Sequence, residues 1–262
     1  MAHGHLLIKG VNMKKIIPIS IFLILLSSIT FAWMSSIIVG GGGTAPAGST
    51  FTLVDTATAG GLSVNTITCN KPTGTVENDI MIAIISHHYN DTSDGPSGWT
   101  LEADSPYING YNNELWYLVA GASEPADYTW DGWDTSTRTR AVIATYRGGF
   151  DTADPIDASS NTVYTTYNTT LRAVTVTASV ADSPLLAIGA TYSTGAPMTA
   201  TAPASPGTFA EDLDSYDSDG DYVSVFYSQT WAGSGATGGM DITLSASKGV
   251  EKHAFGLVLN PE

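Results

Sequence analysis

Asn113–Gly148, which reads NELWYLVAGASEPADYTWDGWDTSTRTRAVIATYRG, is the stretch of sequence that decides the fold. It contains two apolar runs, Glu114–Ala120 and Arg140–Tyr146, on either side of a turn-rich middle with a short aromatic strand, Tyr128–Trp130. If Leu115–Val119 forms a strand, alternate residues lie on opposite faces, and the residues on both faces are largely apolar. This pattern predicts a strand buried on both faces, as in a sandwich of sheets.

The rest of the chain predicts more strands and no helix from residue 51 onward. No window there carries a sustained apolar stripe at helical spacing with capping residues. Short runs rich in Val, Ile, Thr and Tyr alternate instead with clusters of Gly, Pro, Asn, Asp and Ser, which is typical of all-β proteins. The predicted strands are Phe51–Asp55, Ser63–Cys69, Ile80–His87, Trp99–Ala103, Glu114–Ala120, Tyr128–Trp130, Arg140–Arg147, Ser160–Tyr167, Ala173–Ala178, Leu185–Tyr192, Thr208–Glu211, Tyr222–Thr230, Met240–Ser245 and Glu251–Leu259.

These strands fall into two similar series, at about residues 60–150 and 160–262. Ile80–Ala83 matches Leu185–Ile188 in pattern, and the strand at Glu114–Tyr117 matches Tyr222–Tyr227. A recurrence of this length indicates an internal repeat whose units share a core. We therefore predict that residues 51–262 form a jelly-roll-like antiparallel β-sandwich built from two similar halves.

The net charge of the chain disfavours some classes of binding partner. The chain of 262 residues has 25 acidic and 10 basic residues, for a formal net charge of −15. Binding to nucleic acid depends on Lys and Arg that neutralise phosphates, so a nucleic-acid partner is disfavoured. The same balance disfavours an anionic membrane surface and suits an exported or surface protein.

The N-terminal residues have the features of a secretory signal. Lys14 and Lys15 precede an apolar run, Ile16–Leu26, and small residues follow at Thr30 and Ala32. A basic region, a short apolar region and small residues before the cleavage point define such signals. We expect residues 1–32 to direct export to the cell surface or exterior and to be removed, leaving no membrane segment. A retained N-terminal anchor is the alternative.

Residues 33–50 combine a short β-prone run with a flexible tether. Ile37, Ile38 and Val39 are followed by four glycines, Gly40–Gly43, which favour neither helix nor strand. One interpretation is an ordinary first strand with a linker. The other is a donor strand that adds to the sheet edge of a neighbouring copy.

Several motifs carry a resemblance to a known family. They are Asn78-Asp79 before the apolar run to Ala83, Pro96–Leu101 (PSGWTL), Trp116–Trp130 (WYLVAGASEPADYTW), and Tyr146–Gly148 with Pro155–Ala158. Together they resemble the β-sandwich module of bacterial extracellular and phage tail-associated proteins, over about residues 60–262. The second half has no counterpart of Ala-Ser-Glu-Pro. The resemblance implies a surface or appendage role and supplies no catalytic residues.

Histidine and cysteine side chains often bind metals, but in this chain we expect both to have other roles. His87 and His88 end a predicted strand and, as neighbours, face opposite sides of it, so we expect solvent-facing histidines. A metal site would need a loop geometry there. Cys69 has no partner for an internal disulfide. It is expected to be a buried small hydrophobe, with a reactive thiol as the alternative.

An acidic cluster occupies the sequence EDLDSYDSDGDY and includes Asp217, Asp219 and Asp221. Carboxylates at every second position are suited to calcium. The EF-hand pattern fails, however, because Tyr222 stands where that loop needs Gly and Ser228 where it needs Glu. A solvated hairpin tip and a weak extracellular Ca²⁺ site are both open, and no other cofactor is indicated.

Aromatic residues offer a possible sugar-binding surface, since aromatic faces stack on pyranose rings. The candidates are Trp133, Tyr107 and Tyr111, of which Trp133 lies in the turn Asp131–Asp134 and is expected to be exposed. Aromatic residues within strands belong more often to the core.

No motif for catalysis is found. Gly233-Ser234-Gly235 does not fit the Gly-x-Ser-x-Gly elbow, and no pair of carboxylates is distinguished by its context. We therefore predict a non-enzymatic structural protein of the cell exterior or of a phage-like appendage, such as a filament subunit, that self-associates through Ile37–Val39. A carbohydrate-binding adhesin or module is the alternative, and glycoside hydrolysis is the third hypothesis.

Overall fold

A computed structural model of the protein describes residues 50–90, 92–105, 110–133, 137–164, 168–173, 175–192, 197–217, 222–248 and 252–262. These residues form seventeen β-strands and contain no helix, so the predicted all-β class is confirmed. None of the described segments is an apolar helix long enough to cross a bilayer. All of them belong to one compact unit, Ala47–Glu262.

The strands are short to medium in length and are separated by turns. Their bounds are β1 Thr52–Val64, β2 Ile67–Asn70, β3 Ile80–His87, β4 Thr100–Asp104, β5 Asn112–Val119, β6 Asp127–Trp130, β7 Thr137–Arg147, β8 Ile156–Tyr164, β9 Asn168–Ala173, β10 Thr177–Ala178, β11 Ser183–Tyr192, β12 Ala200–Thr201, β13 Ala210–Asp217, β14 Tyr222–Trp231, β15 Gly235–Ala236, β16 Met240–Lys248 and β17 Lys252–Leu259.

Two antiparallel five-stranded sheets form the centre of the fold. The first sheet has the order β1-β7-β3-β5-β4, and the second sheet has the order β13-β14-β11-β17-β8. Smaller sheets are formed by β2 with β6, by β12-β16-β9, and by β10 with β15.

The two large sheets pack face to face. Ile80, Ile82 and Ile84 of β3 share one buried cluster with Leu186 and Ile188 of β11. The outer face of the first sheet packs on β2 and β6, and the outer face of the second sheet packs on β9 and β16. Every residue of β3 and of β17 is therefore buried, as expected for strands covered on both faces.

The stretch Asn113–Gly148 is also buried over part of its length. In β5 the residues from Asn112 to Trp116 are buried, and the last three are half-buried. β5 lies between β3 and β4, while β7 lies between β1 and β3. Both apolar runs of Asn113–Gly148 thus occupy interior positions of the first sheet.

The large sheets share one order of strands. Let the five strands of each sheet be numbered one to five in chain order. Read across the sheet from the edge strand β1 in the first sheet, or β8 in the second, both orders are then one, five, two, four, three. Trp99 and Phe209 are buried at corresponding positions, directly before β4 and directly before β13. The two similar halves and the jelly-roll subtype both stay predictions.

Some strand boundaries predicted from the sequence are wrong. β1 continues to Val64 instead of ending at Asp55, because pairing with β7 supplies partners for a segment whose Ala and Gly residues have low strand propensity. The predicted strand Ala173–Ala178 is divided, since β9 ends at Ala173 and β10 covers only Thr177–Ala178.

Replacing Phe255 by Ala tests the importance of the packing between the large sheets. Phe255 is fully buried there, so we expect a loss of about 3–5 kcal/mol in the free energy of unfolding. Urea titration measures this loss. The matched control Val180→Ala removes a side chain that is 45% exposed and should change stability by less than about 0.5 kcal/mol. Equal losses in the two variants would contradict the assignment of this core.

Candidate functional site

Polar side chains concentrate at one end of the two large sheets, which we call the polar end. Here β3 and β11 finish while β5, β7, β14 and β17 begin. The buried polar residues at this end are Ser86, His87, Asn112, Asn113, Glu114, Thr139, Arg140, Thr191, Ser224, Lys252 and His253. Burying so many polar groups is costly unless they are paired, so their partners decide what this end can do.

The carboxylate of Glu114 organises the part of the polar end that faces β2 and β6. Glu114 is 0% exposed, and its Oε1 lies 2.9 Å from Nε2 of His87. The backbone N–H of Ser93 donates to Oε1 at 2.7 Å, and Nε1 of Trp116 donates to Oε2 at 2.9 Å. The Ser93 hydroxyl also donates to Oε2. The ring of Trp133 stacks on His87 with 4.9 Å between centroids.

This network joins strands and does not contain a Ser–His pair. The hydroxyl of Ser93 donates to the carboxylate of Glu114, and Nε2 of His87 contacts the same carboxylate. Among the described residues Nδ1 of His87 has no hydrogen-bond partner. The bonds tie β3, β5 and the segment after β3 together within a space closed to solvent.

An ion pair connects the two large sheets at the polar end. Nη2 of Arg140 on β7 donates to Ser215 Oγ of β13 at 2.7 Å, and Nη1 lies 3.6 Å from Asp217 Oδ2. Burial lowers the pKa of Arg140, and Asp217 opposes that effect. Gly60 leaves space for this pair, because a Cβ there would lie 1.9 Å from Asp217 Oδ2. A residue with a side chain at position 60 would displace the carboxylate.

His253 is the main exception to pairing at the polar end. Within the described part of the chain, neither of its ring nitrogens has a hydrogen-bond partner, and neither does Oγ of Ser224. His253 and Ser224 flank Ala190 on the two neighbouring strands of the second sheet, so they face the same side. Burial lowers the pKa of His253 to about 4, which keeps the imidazole neutral at neutral pH.

Aromatic rings link the sheets at the rim of the polar end. His88 stacks on Tyr111 at 4.6 Å between centroids, and Tyr111 stacks on Tyr192 at 4.3 Å. Tyr222 meets Tyr192 edge-on at 5.8 Å, and the guanidinium carbon of Arg138 lies 5.5 Å from the centre of the Tyr192 ring. Offset and edge-on pairs of this kind stabilise a contact beyond the area they bury.

The opposite end of the first sheet contains an open cavity of about 280 Å³ lined by Val76, Asp79, Arg147 and Phe150, among others. Arg147 donates from Nε to Asp79 Oδ1 at 2.7 Å and from Nη2 to Oδ2 at 2.8 Å. Asp79 is buried, and its contact raises the pKa of Arg147. The guanidinium is thus engaged in a bidentate pair that fastens the start of β3 to the end of β7.

β1 is the longest of the four edge strands of the two large sheets. β1 has 13 residues and pairs with β7 on one side, while no described strand pairs with its other side. It carries one charged residue, Asp55, and no Lys, Arg or Pro. Natural edge strands are usually protected by charge, proline or shortness. Two of the other edges of the large sheets show such features: β13 has four acidic residues and β4 has only five residues. The fourth edge, β8, is shorter than β1, with nine residues, and also carries one charged residue, Asp157.

The aromatic candidates for sugar binding are placed differently from expectation. Trp133 is 3% exposed, with its ring on His87 and its Nε1 donating to the carbonyl of Val64 at 3.1 Å. The expected exposure is wrong because the turn folds back and the indole covers the Glu114 network. Tyr111 is 8% exposed within the aromatic stack. Tyr107 lies outside the described residues.

The structure describes only one residue of the candidate calcium site and none of the candidate donor strand. Asp217 faces Arg140, and Asp217 pairs with Tyr222 across the β13–β14 hairpin. Asp219 and Asp221 lie outside the described residues, as do Ile37, Ile38 and Val39. Within the described part of the chain no group of three His, Cys, Asp or Glu side chains could hold a metal ion. The calcium site and the donor strand stay predictions.

The predicted exposure is confirmed for His88 and the predicted burial for Cys69, but the predicted exposure of His87 is wrong. His88 is exposed as predicted, but the prediction for His87 is wrong: it is buried, because the partner carboxylate of Glu114 compensates its polar ring. Cys69 is buried as predicted, and burial raises the pKa of its thiol to about 12. A thiol with such a pKa is unreactive at neutral pH.

Sequence reasoning missed the charged residues of the polar end. Glu114, Arg140 and Lys252 each stand within a few residues of a strand start, directly before an apolar run. A charged residue at the start of an apolar strand run is the signal that indicates them. That signal finds the residue but not its partner, which lies far away in the chain.

No protein-family model, no curated protein and no solved structure matches the chain. The resemblance to the β-sandwich module of extracellular and phage tail-associated proteins therefore stays a prediction. A function for the protein has to be inferred from its own residues and their geometry.

His253 should make stability depend on pH. Its pKa is about 4 in the folded protein, against an ordinary value of 6.5, so the unfolded chain binds the proton first as pH falls. Stability is therefore lost between about pH 6.5 and 4, by up to about 3 kcal/mol. In His253→Leu this contribution is absent. The difference between wild type and variant in urea titrations at pH 7 and 4.5 isolates it.

Two carboxyl groups with raised pKa values are present in both proteins and cancel in that difference. Burial raises the pKa of Asp212 and of Asp214 in both proteins. The control His88→Gln alters an exposed histidine, and its difference from wild type should change less with pH. A difference for His253→Leu that stays constant with pH would show that His253 is not a buried neutral group.

Replacing Glu114 by Ala should destabilise the fold strongly. The change leaves the donors of His87, Ser93 and Trp116 buried without their acceptor, for which we expect a loss of about 3–5 kcal/mol. Urea titration again provides the measurement. Glu77→Ala, at an exposed position, should stay within about 0.5 kcal/mol of wild type. A small effect at Glu114 would rule out its organising role.

Proposed function

We propose that the protein is a secreted, non-enzymatic structural subunit that assembles with copies of itself, a strand of one copy adding to the outer edge of β1 in the next. The observation that carries the proposal is the edge of β1: 13 residues long, paired on one side among the described strands, and nearly free of charge. Strand addition draws its affinity from main-chain hydrogen bonds, which such an edge offers in a continuous row.

The composition of β1 suits a second copy of an acidic chain. The formal net charge of −15 makes copies repel one another. Along β1 only Asp55 is charged, so an approaching strand meets less repulsion there than at β13, whose acidic residues include Glu211 and Asp214. From Asp55 to Gly61 the pairing with β7 is regular, without a bulge, which keeps the free edge straight enough to accept a strand.

The sequence supplies a donor with a suitable tether. Ile37, Ile38 and Val39 have high strand propensity, and twelve residues, 40–51, separate them from the start of β1. An extended tether of that length spans about 40 Å. This reach allows the donor run to leave its own subunit and pair with a neighbour.

The polar groups support a scaffold role. The carboxylates of Glu114, Asp79 and Asp217 are each bonded to nearby side chains that fix strands to one another. The alternative of carbohydrate binding has less support, since Trp133 and Tyr111 are buried. Retained binding on a glycan array by a Trp133→Ala variant would exclude that residue as the contact.

A charge on the exposed face of β1 tests the assembly. Thr58 is exposed on β1, and Thr58→Lys places a cation where a second strand would add. We expect about a tenfold increase in the concentration needed for assembly, equivalent to about 1.4 kcal/mol per contact. Size-exclusion chromatography and negative-stain electron microscopy of the full chain provide the readout.

The matched control is Thr243→Lys, an exposed threonine of β16 that has strand neighbours on both sides. It should leave assembly unchanged, whereas deletion of residues 33–43 should abolish polymers and leave a folded core. A wild-type protein that stays monomeric, or polymers that survive both Thr58→Lys and the deletion, would refute the proposal.

A further inference from the structure

Lys252 and Asn168 form an unusual contact. Lys252 begins β17, is 0% exposed, and its Nζ donates to the backbone carbonyl of Asn168 at 3.0 Å. Nζ also makes a very short contact with Oδ1 of the Asn168 side chain. Asn168 begins β9, in the small sheet that covers the second large sheet. The buried lysine amine is thus held against the side-chain amide of Asn168, which is half-buried.

Burial and the lack of a counter-charge enlarge the unprotonated fraction of the Lys252 amine. No carboxylate is paired with Lys252 among the described residues. The Tyr164 ring, 5.6 Å from Nζ, and the two oxygens that Nζ contacts act in the opposite sense, since they attract a cation. An ammonium group deprived of water and of a counter-charge is costly, and burial lowers the pKa of Lys252 accordingly. A neutral amine has a free lone pair and is a nucleophile.

The amide of Asn168 is arranged as the matching electrophile. Its Oδ1 accepts a hydrogen bond from the backbone N–H of Thr170 at 3.0 Å. A donor at that oxygen polarises the carbonyl and stabilises the negative charge that develops on it during attack at Cγ. Because Nζ already contacts Oδ1, attack at Cγ requires the amine to move only from that oxygen to the face of the same amide group.

We propose that Lys252 and Asn168 become joined by an intramolecular amide bond between Nζ and Cγ. The neutral amine attacks Cγ, and the electron pair of the C=O bond moves to Oδ1. One proton passes from Nζ to Nδ2, the Cγ–Nδ2 bond breaks, and ammonia leaves as the carbonyl reforms. No oxidant, reductant or other reactant is consumed.

The bond would act as a covalent cross-link in a chain that cannot form an internal disulfide, since Cys69 is its single cysteine. The residues that it joins are 84 positions apart, and they belong to two sheets that face each other across a core. Links that close long loops restrict the unfolded chain most strongly. The cross-link is independent of the proposed assembly at β1.

Intact mass spectrometry of the full chain in denaturant tests the proposal. The wild type should be lighter, by one ammonia of about 17 Da, than the mass calculated for the same N-terminus. Lys252→Arg and Asn168→Ala should have their full calculated masses. Asn168→Asp can form the same bond by losing water and should then reach the wild-type mass. Lys71→Arg, the control at another lysine, should keep the wild-type deficit.

A peptide map locates the bond and covers variants that fail to fold. Trypsin should yield residues 148–172 joined to residues 249–262, with no cleavage after Lys252. Ring closure at Asn109-Gly110 would also release ammonia, but that deficit would persist in Lys252→Arg. A wild type of full mass, separate tryptic peptides, or a deficit that survives Lys252→Arg would each overturn the proposal.

Discussion

The face-to-face packing of two five-stranded sheets is the constraint on which the rest of the structure depends. Because each sheet is covered on both faces, strands such as β3 and β17 have no solvent-facing side and must be apolar or internally paired throughout. Polar groups are therefore confined to the strand ends, and pairing with other molecules is confined to the sheet edges and loops. The location of the polar end and the importance of the β1 edge both follow from this arrangement.

Pairing at the polar end connects parts of the chain that local packing would leave separate. Glu114 fixes the segment after β3, and Arg140 fixes β7 of the first sheet to β13 of the second. Removing one partner of such a pair leaves the other buried without compensation, so these contacts act more as requirements of the fold than as additions to its stability. His253 and Lys252 lack this compensation, and each is correspondingly shifted towards its neutral form.

Local patterns in the sequence predicted the all-β class and the interior strands, since eight consecutive residues from Ile80 to His87 with six apolar side chains leave little ambiguity. They failed where tertiary contacts override propensity. Gly60 and Gly61 are strand residues only because β7 pairs with them, and Trp133 is buried only because His87 lies beneath it. The partners of Glu114, Arg140 and Lys252 could not be predicted, because no local rule specifies which distant residue meets a buried charge.

The regularity of β1 has a mechanical consequence. In Thr56–Ala59 threonine and alanine alternate, so a strand paired with this edge meets nearly the same surface after a shift of two residues. Register is weakly specified where side chains are small and repetitive. A joint formed at this edge could slide in steps of about 7 Å while keeping most of its hydrogen bonds. A polymer built from such joints would yield under tension by slippage, and so behave as an extensible fibre instead of a brittle rod.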